Sequence, residues 1–223
     1  MNHYNILGKS NCGVAMILEN LYSIHGYDYD VDIIKNMNDN LDDNLPYDIN
    51  NIKTNEFDHT EYEINLDVNN YIIGAVKVQS KRAIFDFFKE NYCIDRDNYC
   101  CLFPNNVMIS QTCQFGFGCI LNYGCVLAPY VTLDDFVYLN RSVSIGHHTT
   151  IGEFTTINPG VNIAGRCKIG KNVTIGIGAN IIDGITIGDN SIVGAGSLVL
   201  KDIPDNVIVY GNPAKIIKNL NNH

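Results

Sequence analysis

The segment INPGVNIAGRCKIGKNVTIGIGANIIDGITIGDNSIVGAGSLVL, residues 157–200, repeats itself every six residues. Stepping by six in both directions lengthens the series to Phe103, Ile109, Phe115, Leu121, Leu127, Leu133, Leu139, Ile145, Ile151, Ile157, Ile163, Ile169, Ile175, Ile181, Ile187, Val193 and Val199. Every member is a large aliphatic residue or Phe. At 46% hydrophobic residues, such a run arises by chance about once in 10⁵ sequences. Four residues after each member lies a small or β-branched side chain, among them Cys113, Cys119, Cys125, Val131, Thr149, Thr155, Cys167 and Ser191. The residue just after the large one is often small, as in Gly146, Gly152, Gly170 and Gly188. A period of six fits neither a heptad nor a simple alternating strand. It fits short strands joined by sharp corners, three strands to a coil, with large residues inside and small ones at the corners. Residues 103–204 are therefore expected to form a parallel β-helix of five to six coils, a prism roughly 25–30 Å long.

The flanks differ from this core. Downstream, residues 205–223 are expected to cap the last coil with a short strand at 207–210, a Gly-Asn-Pro turn and a basic helical stretch. Upstream, residues 1–90 suggest a small parallel α/β domain, joined to the repeats by a linker at 91–102. Residues 3–7 form an apolar strand ending in Gly8. Val14, Ile17, Leu18 and Leu21 recur at helical spacing, with Gly26 as a stop signal. Residues 31–34 and 71–73 are further strands, and Ile84, Phe87 and Phe88 mark a second helix with Ser80 as its N-cap. Residues 38–68, rich in Asp and Asn, are expected to be loops and weak strand. The loop Gly8-Lys9-Ser10-Asn11-Cys12-Gly13 joins the first strand to the first helix, where such folds place ligands, and a helix N-terminus there favours phosphate.

Composition narrows the function. A net charge of −9 argues against nucleic acid or an anionic membrane as partner. No run of eighteen apolar residues exists to span a bilayer, and the N-terminus MNHYNILGKSNCG lacks the features of a signal peptide, so a cytoplasmic location is expected. Four of the eight cysteines occupy the small repeat position, which makes them buried packing residues rather than disulfide partners or metal ligands. In the repeat region His147 and His148 are the only histidines, too few for a three-histidine zinc site, and no metal is expected.

Both halves together resemble the sialic-acid O-acetyltransferase family of sugar acyltransferases, which includes N-acetyltransferases of nucleotide-linked 4-amino-4,6-dideoxy sugars. The resemblance is carried by INPGVNIAG (157–165), IGKNVTIGIGANIIDGITIGDNSIVGAGSLVLKDIP (169–204) and YGNPAK (210–215), and is thin before residue 90. It implies a left-handed β-helix, a homotrimer with active sites between subunits, acetyl-CoA as co-substrate in the groove between helices, and a nucleotide sugar held by the N-terminal domain. The family's catalytic histidine stands in a segment Glu-His-Asp/Glu-x-x-Ile-Gly, matched by Gly146-His147-His148-Thr149-Thr150-Ile151-Gly152. This makes His147 the general base, since imidazole suits proton removal near neutral pH. The family's acidic neighbours are Gly146 and His148 here, which leaves Glu153 or an Asp of a neighbouring chain to orient the base; His148, Glu153 and Asn140 are candidates for catalytic support.

By the same resemblance Asn140 is a candidate for holding the acceptor, or else a polar corner residue. Acetyl-CoA is expected at Ala164, Gly165, Gly176, Gly178, Ala179, Ala195, Gly196, Lys201 and Pro213. The nucleotide sugar is expected at Gly8, Ser10, Asn11, Cys12, Gly13, Lys35 and Asn36; the family's loop has a His where this chain has Cys12, and a pair of Asp residues where it has Lys35-Asn36. The activity implied is N-acetylation of a UDP- or dTDP-linked 4-amino-4,6-dideoxyhexose. O-acetylation of a sialic-acid type sugar, and a non-enzymatic trimeric scaffold, are the alternatives.

Overall fold

The computed structural model describes residues 2–36, 47 and 52–220. The chain divides into two compact units, Met1–Asn105 and Asn106–His223.

In the first unit, β1 (Asn2–Leu7), α1 (Asn11–His25), β2 (Tyr29–Lys35), β3 (Lys53–Asp58), β4 (Tyr71–Ile73) and α2 (Val78–Tyr92) follow in order. The strands make one parallel sheet ordered β3-β2-β1-β4, as the strand–helix–strand pattern implies. Leu7 pairs with Ile34 on one side and Ile73 on the other, and α1 lays Val14, Ile17, Leu18 and Leu21 into the core at no more than 1% exposure. Gly26, at φ 63°, ends α1 by returning its N–H to the Tyr22 carbonyl, a conformation that glycine adopts without strain. The second helix starts after Lys77, three residues before the expected cap at Ser80. Val78 is buried beside Ile84, Phe85 and Phe88, so one more turn gains apolar burial that a cap at Ser80 would forgo. Of the Asp- and Asn-rich segment, residues 37–46 and 48–51 lie outside the described residues. β3 comes from the rest of it, aligned with β2 through the Asn55–Asp32 register, with Asn55 Nδ2 donating to Asp32 Oδ1 at 2.7 Å.

The second unit is the left-handed β-helix. Two-residue strands run from β5 (Met108–Ile109) to β20 (Leu198–Val199), and each as far as Asn180–Ile181 pairs in parallel with the strand eighteen residues on, as in Ser144↔Asn162 and Ile145↔Ile163. Phe103, first in the six-residue series, falls in the first unit. Three faces result, typified by Tyr138–Leu139, Ser144–Ile145 and Thr150–Ile151. The large residues fill the interior; Leu139, Ile145, Ile151, Ile157 and Ile175 are at most 1% exposed. Each such side chain contributes roughly 1.5–3 kcal/mol by leaving water.

The small position does more than fill a corner. Thr149 Oγ1 donates to the Ala164 carbonyl at 3.1 Å, Thr155 Oγ1 to Gly170 at 2.8 Å and Ser191 Oγ to Pro204 at 2.7 Å. Cys125 Sγ reaches Asn140 O at 3.1 Å and Cys167 Sγ reaches Ile182 O at 3.2 Å. Of the repeat-position cysteines, Cys119, Cys125 and Cys167 are buried and Cys113 is half-buried, and they join one coil to the next through these bonds. A further regularity lies three residues past the large one, where from Gly118 to Gly196 the backbone is left-handed whatever the residue: Tyr130, Phe136, Ser142, His148, Phe154, Arg166, Asn172 and Asn190 have φ between 54° and 62°, and Gly118, Gly124, Gly160, Gly178, Gly184 and Gly196 complete the row. The local strain is offset because the amide there bonds to the preceding coil, as in His148 N–H to Pro129 O at 3.1 Å and Arg166 N–H to His147 O at 2.7 Å.

After the last coil, β21 (Val207–Tyr210) extends the first face by pairing with Ile192–Val193. The expected helical cap is a strand instead: β22 (Lys215–Asn219) returns antiparallel to β21. So short a segment cannot sustain a helix unaided, whereas the open edge of β21 offers it a full set of backbone partners.

Candidate active site

His147 and His148 stand on the corner that follows Ile145, and both are exposed. The eighteen-residue coil puts Gly165 directly above His147 and Asp183 above Gly165. A Cβ placed on Gly165 would lie 2.8 Å from both Cε1 and Nε2 of His147 and 3.1 Å from Asp183 Oδ1. The missing side chain of Gly165 thus leaves a notch that the edge of the His147 ring fills, with the Asp183 carboxylate on its other side. Asp183 is hydrogen-bonded to Arg166, which holds the guanidinium above its ordinary pKa range. On its other side, His147 Nδ1 lies 3.1 Å from His148 Nδ1. The His148 ring packs tilted against Tyr130 of the preceding coil, at 4.8 Å between centroids and 30° between planes.

Beside this corner runs an open groove of about 540 Å³. The outward side chains Val126, Ser144, Asn162 and Asn180 form its floor, and Ala128, Gly146, Ala164, Ile182 and Asp183 its corner side. Small residues keep it open, and Gly146 is small of necessity: a Cβ there would meet Ala164 C at 2.4 Å and Gly165 N at 2.5 Å. An acidic residue cannot replace Gly146 without displacing the backbone of the next coil.

The other expected residues separate by corner. Ala164 and Gly165 belong with His147, and Lys201 follows the last strand of the same face, two residues past Val199. Gly176, Gly178, Ala195 and Gly196 lie on a different corner, after Ile175 and Val193, with Ala179 fully buried behind them. Pro213 is in the turn between β21 and β22. Asn140 sits on that second corner at 7% exposure, and its Oδ1 accepts from Arg141 N–H at 2.9 Å. Its neighbours in the stack, Asn122 and Asn158, donate to Leu139 O at 2.9 Å and Ile175 O at 2.8 Å; this is the setting of a corner brace. Glu153 is on the third corner, with Lys171 Nζ 3.6 Å away, and within one chain it does not meet His147. Asp183 and Arg166 went unnoticed in the sequence, although counting eighteen and thirty-six residues on from His147 reaches Gly165 and Asp183.

In the first unit, the expected nucleotide-sugar residues do converge, at the carboxyl ends of β1, β2 and β4. Gly8 N–H bonds to Ile34 O at 2.8 Å, Ser10 N–H to Gly74 O at 3.0 Å and Gly74 N–H to Leu7 O at 2.8 Å. Gly8, Gly13 and Gly74 pack backbone on backbone, since a Cβ on Gly74 would lie 2.2 Å from Gly8 O and one on Gly13 2.8 Å from Gly74 O. Asn36 Oδ1 lies 3.4 Å from the Cβ position of Gly8, Asn11 is buried and Cys12 exposed. Glu56 gathers the two lysines, with Lys9 Nζ at 3.1 Å and Lys35 Nζ at 3.7 Å. The first turn of α1 carries no acidic residue, so its N–H groups present positive potential to an anion. Among the described residues, no group of three or more His, Cys, Asp or Glu side chains is placed to hold a metal, and no helix is long and apolar enough to cross a membrane.

The family described as bacterial transferase hexapeptide (six repeats) matches residues 166–201. No curated protein sequence matches the chain. Among solved structures, the acetyltransferase domain of PglB from Neisseria gonorrhoeae is similar at TM-score 0.76 and 21% identity, over 97% of this chain and 99% of that one. The same domain in complex with acetyl coenzyme A gives TM-score 0.74 at 21% identity, over 97% of this chain and 100% of that one. PerB from Caulobacter crescentus, in complex with CoA and GDP-perosamine, gives 0.73 at 19% identity, over 98% of each chain. At these identities the likeness speaks for the fold, and the chain has the architecture of these proteins from end to end: a small parallel α/β unit followed by a left-handed hexapeptide-repeat β-helix.

Proposed function

We propose that the chain is an acetyl-CoA-dependent N-acetyltransferase acting on the 4-amino group of a UDP- or dTDP-linked 4-amino-4,6-dideoxyhexose, a sugar acyltransferase of the sialic-acid O-acetyltransferase type, with His147 as general base. One observation carries the reading. His147 is an exposed imidazole whose Nδ1 is engaged by His148 while the Nε2 edge lies over Gly165, beside a groove that Ala128, Ser144, Gly146 and Ala164 help to line. The fold shared with the PglB acetyltransferase domain and with PerB, whose structures hold acetyl coenzyme A or CoA and GDP-perosamine, supports it.

The chemistry fits the geometry. An amine must shed a proton as its nitrogen bonds to the thioester carbonyl carbon. His147 Nε2 takes that proton, and as the C–S bond breaks it returns a proton to the departing sulfur. The groove accommodates an extended pantetheine arm against Ala128, Gly146 and Ala164, with Lys201 near the end of the same face. Gly176, Gly178, Ala195 and Gly196 lie on another corner, so they reach the same acyl donor only from a neighbouring copy; this favours a homotrimer with sites between subunits. Gly8, Ser10, Asn11, Cys12, Gly13, Lys35 and Asn36 bind the nucleotide sugar, with the α1 N-terminus facing its phosphates.

The test follows CoA thiol release from acetyl-CoA with UDP-, dTDP- and GDP-linked 4-amino-4,6-dideoxy sugars and free sialic acid. Turnover on an amino sugar, lost by about 10²-fold or more in His147→Ala, is the expected result. Turnover on sialic acid alone would replace N- by O-acetylation. Binding of acetyl-CoA without turnover on any acceptor would overturn the acceptor class, and no binding would leave a scaffold.

A further inference from the structure

We propose that His148 is a positioning residue that fixes the ring and the tautomer of His147; the proposal rests on the acetyltransfer reading above. Two imidazole nitrogens 3.1 Å apart form a hydrogen bond only if one carries a proton and the other a lone pair. A base working through Nε2 needs its lone pair there, so the proton of neutral His147 belongs on Nδ1. His147 Nδ1–H then donates to His148 Nδ1, and His148 carries its own proton on Nε2.

His148 is held where it can do this. Its backbone is left-handed, at φ 56°, and its N–H is bonded to Pro129 O at 3.1 Å. Its ring rests on Tyr130, whose own N–H donates to Thr112 Oγ1 at 2.8 Å. The charged and titratable groups around the pair are Tyr130 below and Arg166 and Asp183 above. Arg166 and Asp183 are bonded to each other, and among the described residues no carboxylate forms an ion pair with His147. A neutral acceptor thus stands where a carboxylate would otherwise orient the base. When His147 gains a proton from the amine, the His148 lone pair stabilises the imidazolium. A second proton on the pair would break the bond and set two cations side by side.

The experiment compares wild type, His148→Phe, His148→Asp and His147→Ala. Phe keeps a ring for Tyr130 to pack against and removes the nitrogen; the left-handed corner tolerates it, since Phe136 and Phe154 hold the same conformation. Histidine side-chain ¹⁵N NMR reads the tautomer without any substrate. The expected result is the Nδ1–H tautomer for His147 in wild type and a mixture in His148→Phe. That variant should lose about 10- to 100-fold in kcat, with KM for both substrates within about twofold. His148→Asp should recover most of kcat and move the acid limb of the kcat/KM profile to higher pH, because a carboxylate favours the imidazolium. An Nε2–H tautomer for His147 in wild type, or His148→Phe with unchanged kcat and pH profile, overturns the proposal. Wild type without acetyl transfer, or a fully active His147→Ala, would instead refute the acetyltransfer reading or its base, and the NMR result would still decide the role of His148.

Discussion

Gly165→Ala tests the site with one added methyl group. The Cβ would fall 2.8 Å from His147 Nε2 and Cε1, against an ordinary contact of about 3.5 Å. His147 is exposed, so its ring retreats by about 0.7 Å rather than the coil deforming. A displacement approaching 1 Å costs up to about 10²-fold when reacting atoms must be aligned, so kcat for acetyl transfer should fall about 10- to 100-fold, or about 1.4–2.7 kcal/mol of transition-state stabilisation. The backbone of Gly165 lies outside the left-handed region, so alanine is compatible with it. By restricting the unfolded chain, alanine should leave stability unchanged or raise it by about 0.4–1 kcal/mol. Steady-state kinetics beside urea unfolding check both halves. A variant with wild-type kcat would show that the space above Gly165 is not where His147 works; a loss of kcat matched by a loss of stability would mean that the coil, not the ring, had moved.

Three further outcomes follow from the same geometry. Gly146→Glu, which places an acidic neighbour beside His147, should destabilise the protein by about 3 kcal/mol or more, because its Cβ collides with the backbone of the next coil; an unchanged urea midpoint would refute this. Cys167→Ser should cost about 1 kcal/mol or less, since Thr155 and Ser191 already make the same bond through a hydroxyl, and the check is again the unfolding midpoint. Asp95 accepts the Arg96 N–H and pairs with Lys89, which together hold its carboxyl below the usual range. Its stabilising effect is therefore present above the ordinary carboxylate pKa and lost as pH falls through the lowered one. Asp95→Asn should unfold earlier than wild type in urea at pH 7, and the two should converge near pH 2.

The β-helix was legible because its signal is local and repeated: each interior position declares itself every six residues. That His147 faces outward was legible from its place two residues after the inward Ile145. The surroundings of His147 were not, because they are assembled at a spacing of eighteen, and neither Gly165 nor Asp183 differs in type from ordinary corner residues. The left-handed position three past the large residue carries only a partial compositional mark: Gly fills it at 118, 124, 160, 178, 184 and 196, but Tyr, Phe, Ser, His, Arg and Asn occupy it elsewhere. Lys215–Asn219 misled because a short basic apolar run is ambiguous until the open edge of β21 is known. β3 was faint because its residues KTNEFD hold a single large hydrophobe, and polar pairing with β2 supplies what burial does not.

Stacking by coil has a consequence for how the chain tolerates changes in length. One residue gained or lost between Ile145 and Ile163 would put every later side chain out of step with the interior, and the fold would object at once. A whole extra turn of eighteen residues placed between His147 and Gly165 would pass unnoticed by the hydrophobic interior, because the ladder merely grows a rung. It would nevertheless separate the imidazole from its notch and carry Asp183 one rung further away. The interior therefore counts residues modulo six and the choice of face modulo eighteen, whereas the neighbours of His147 are fixed by absolute rungs, so an insertion silent for folding still rearranges what surrounds that side chain.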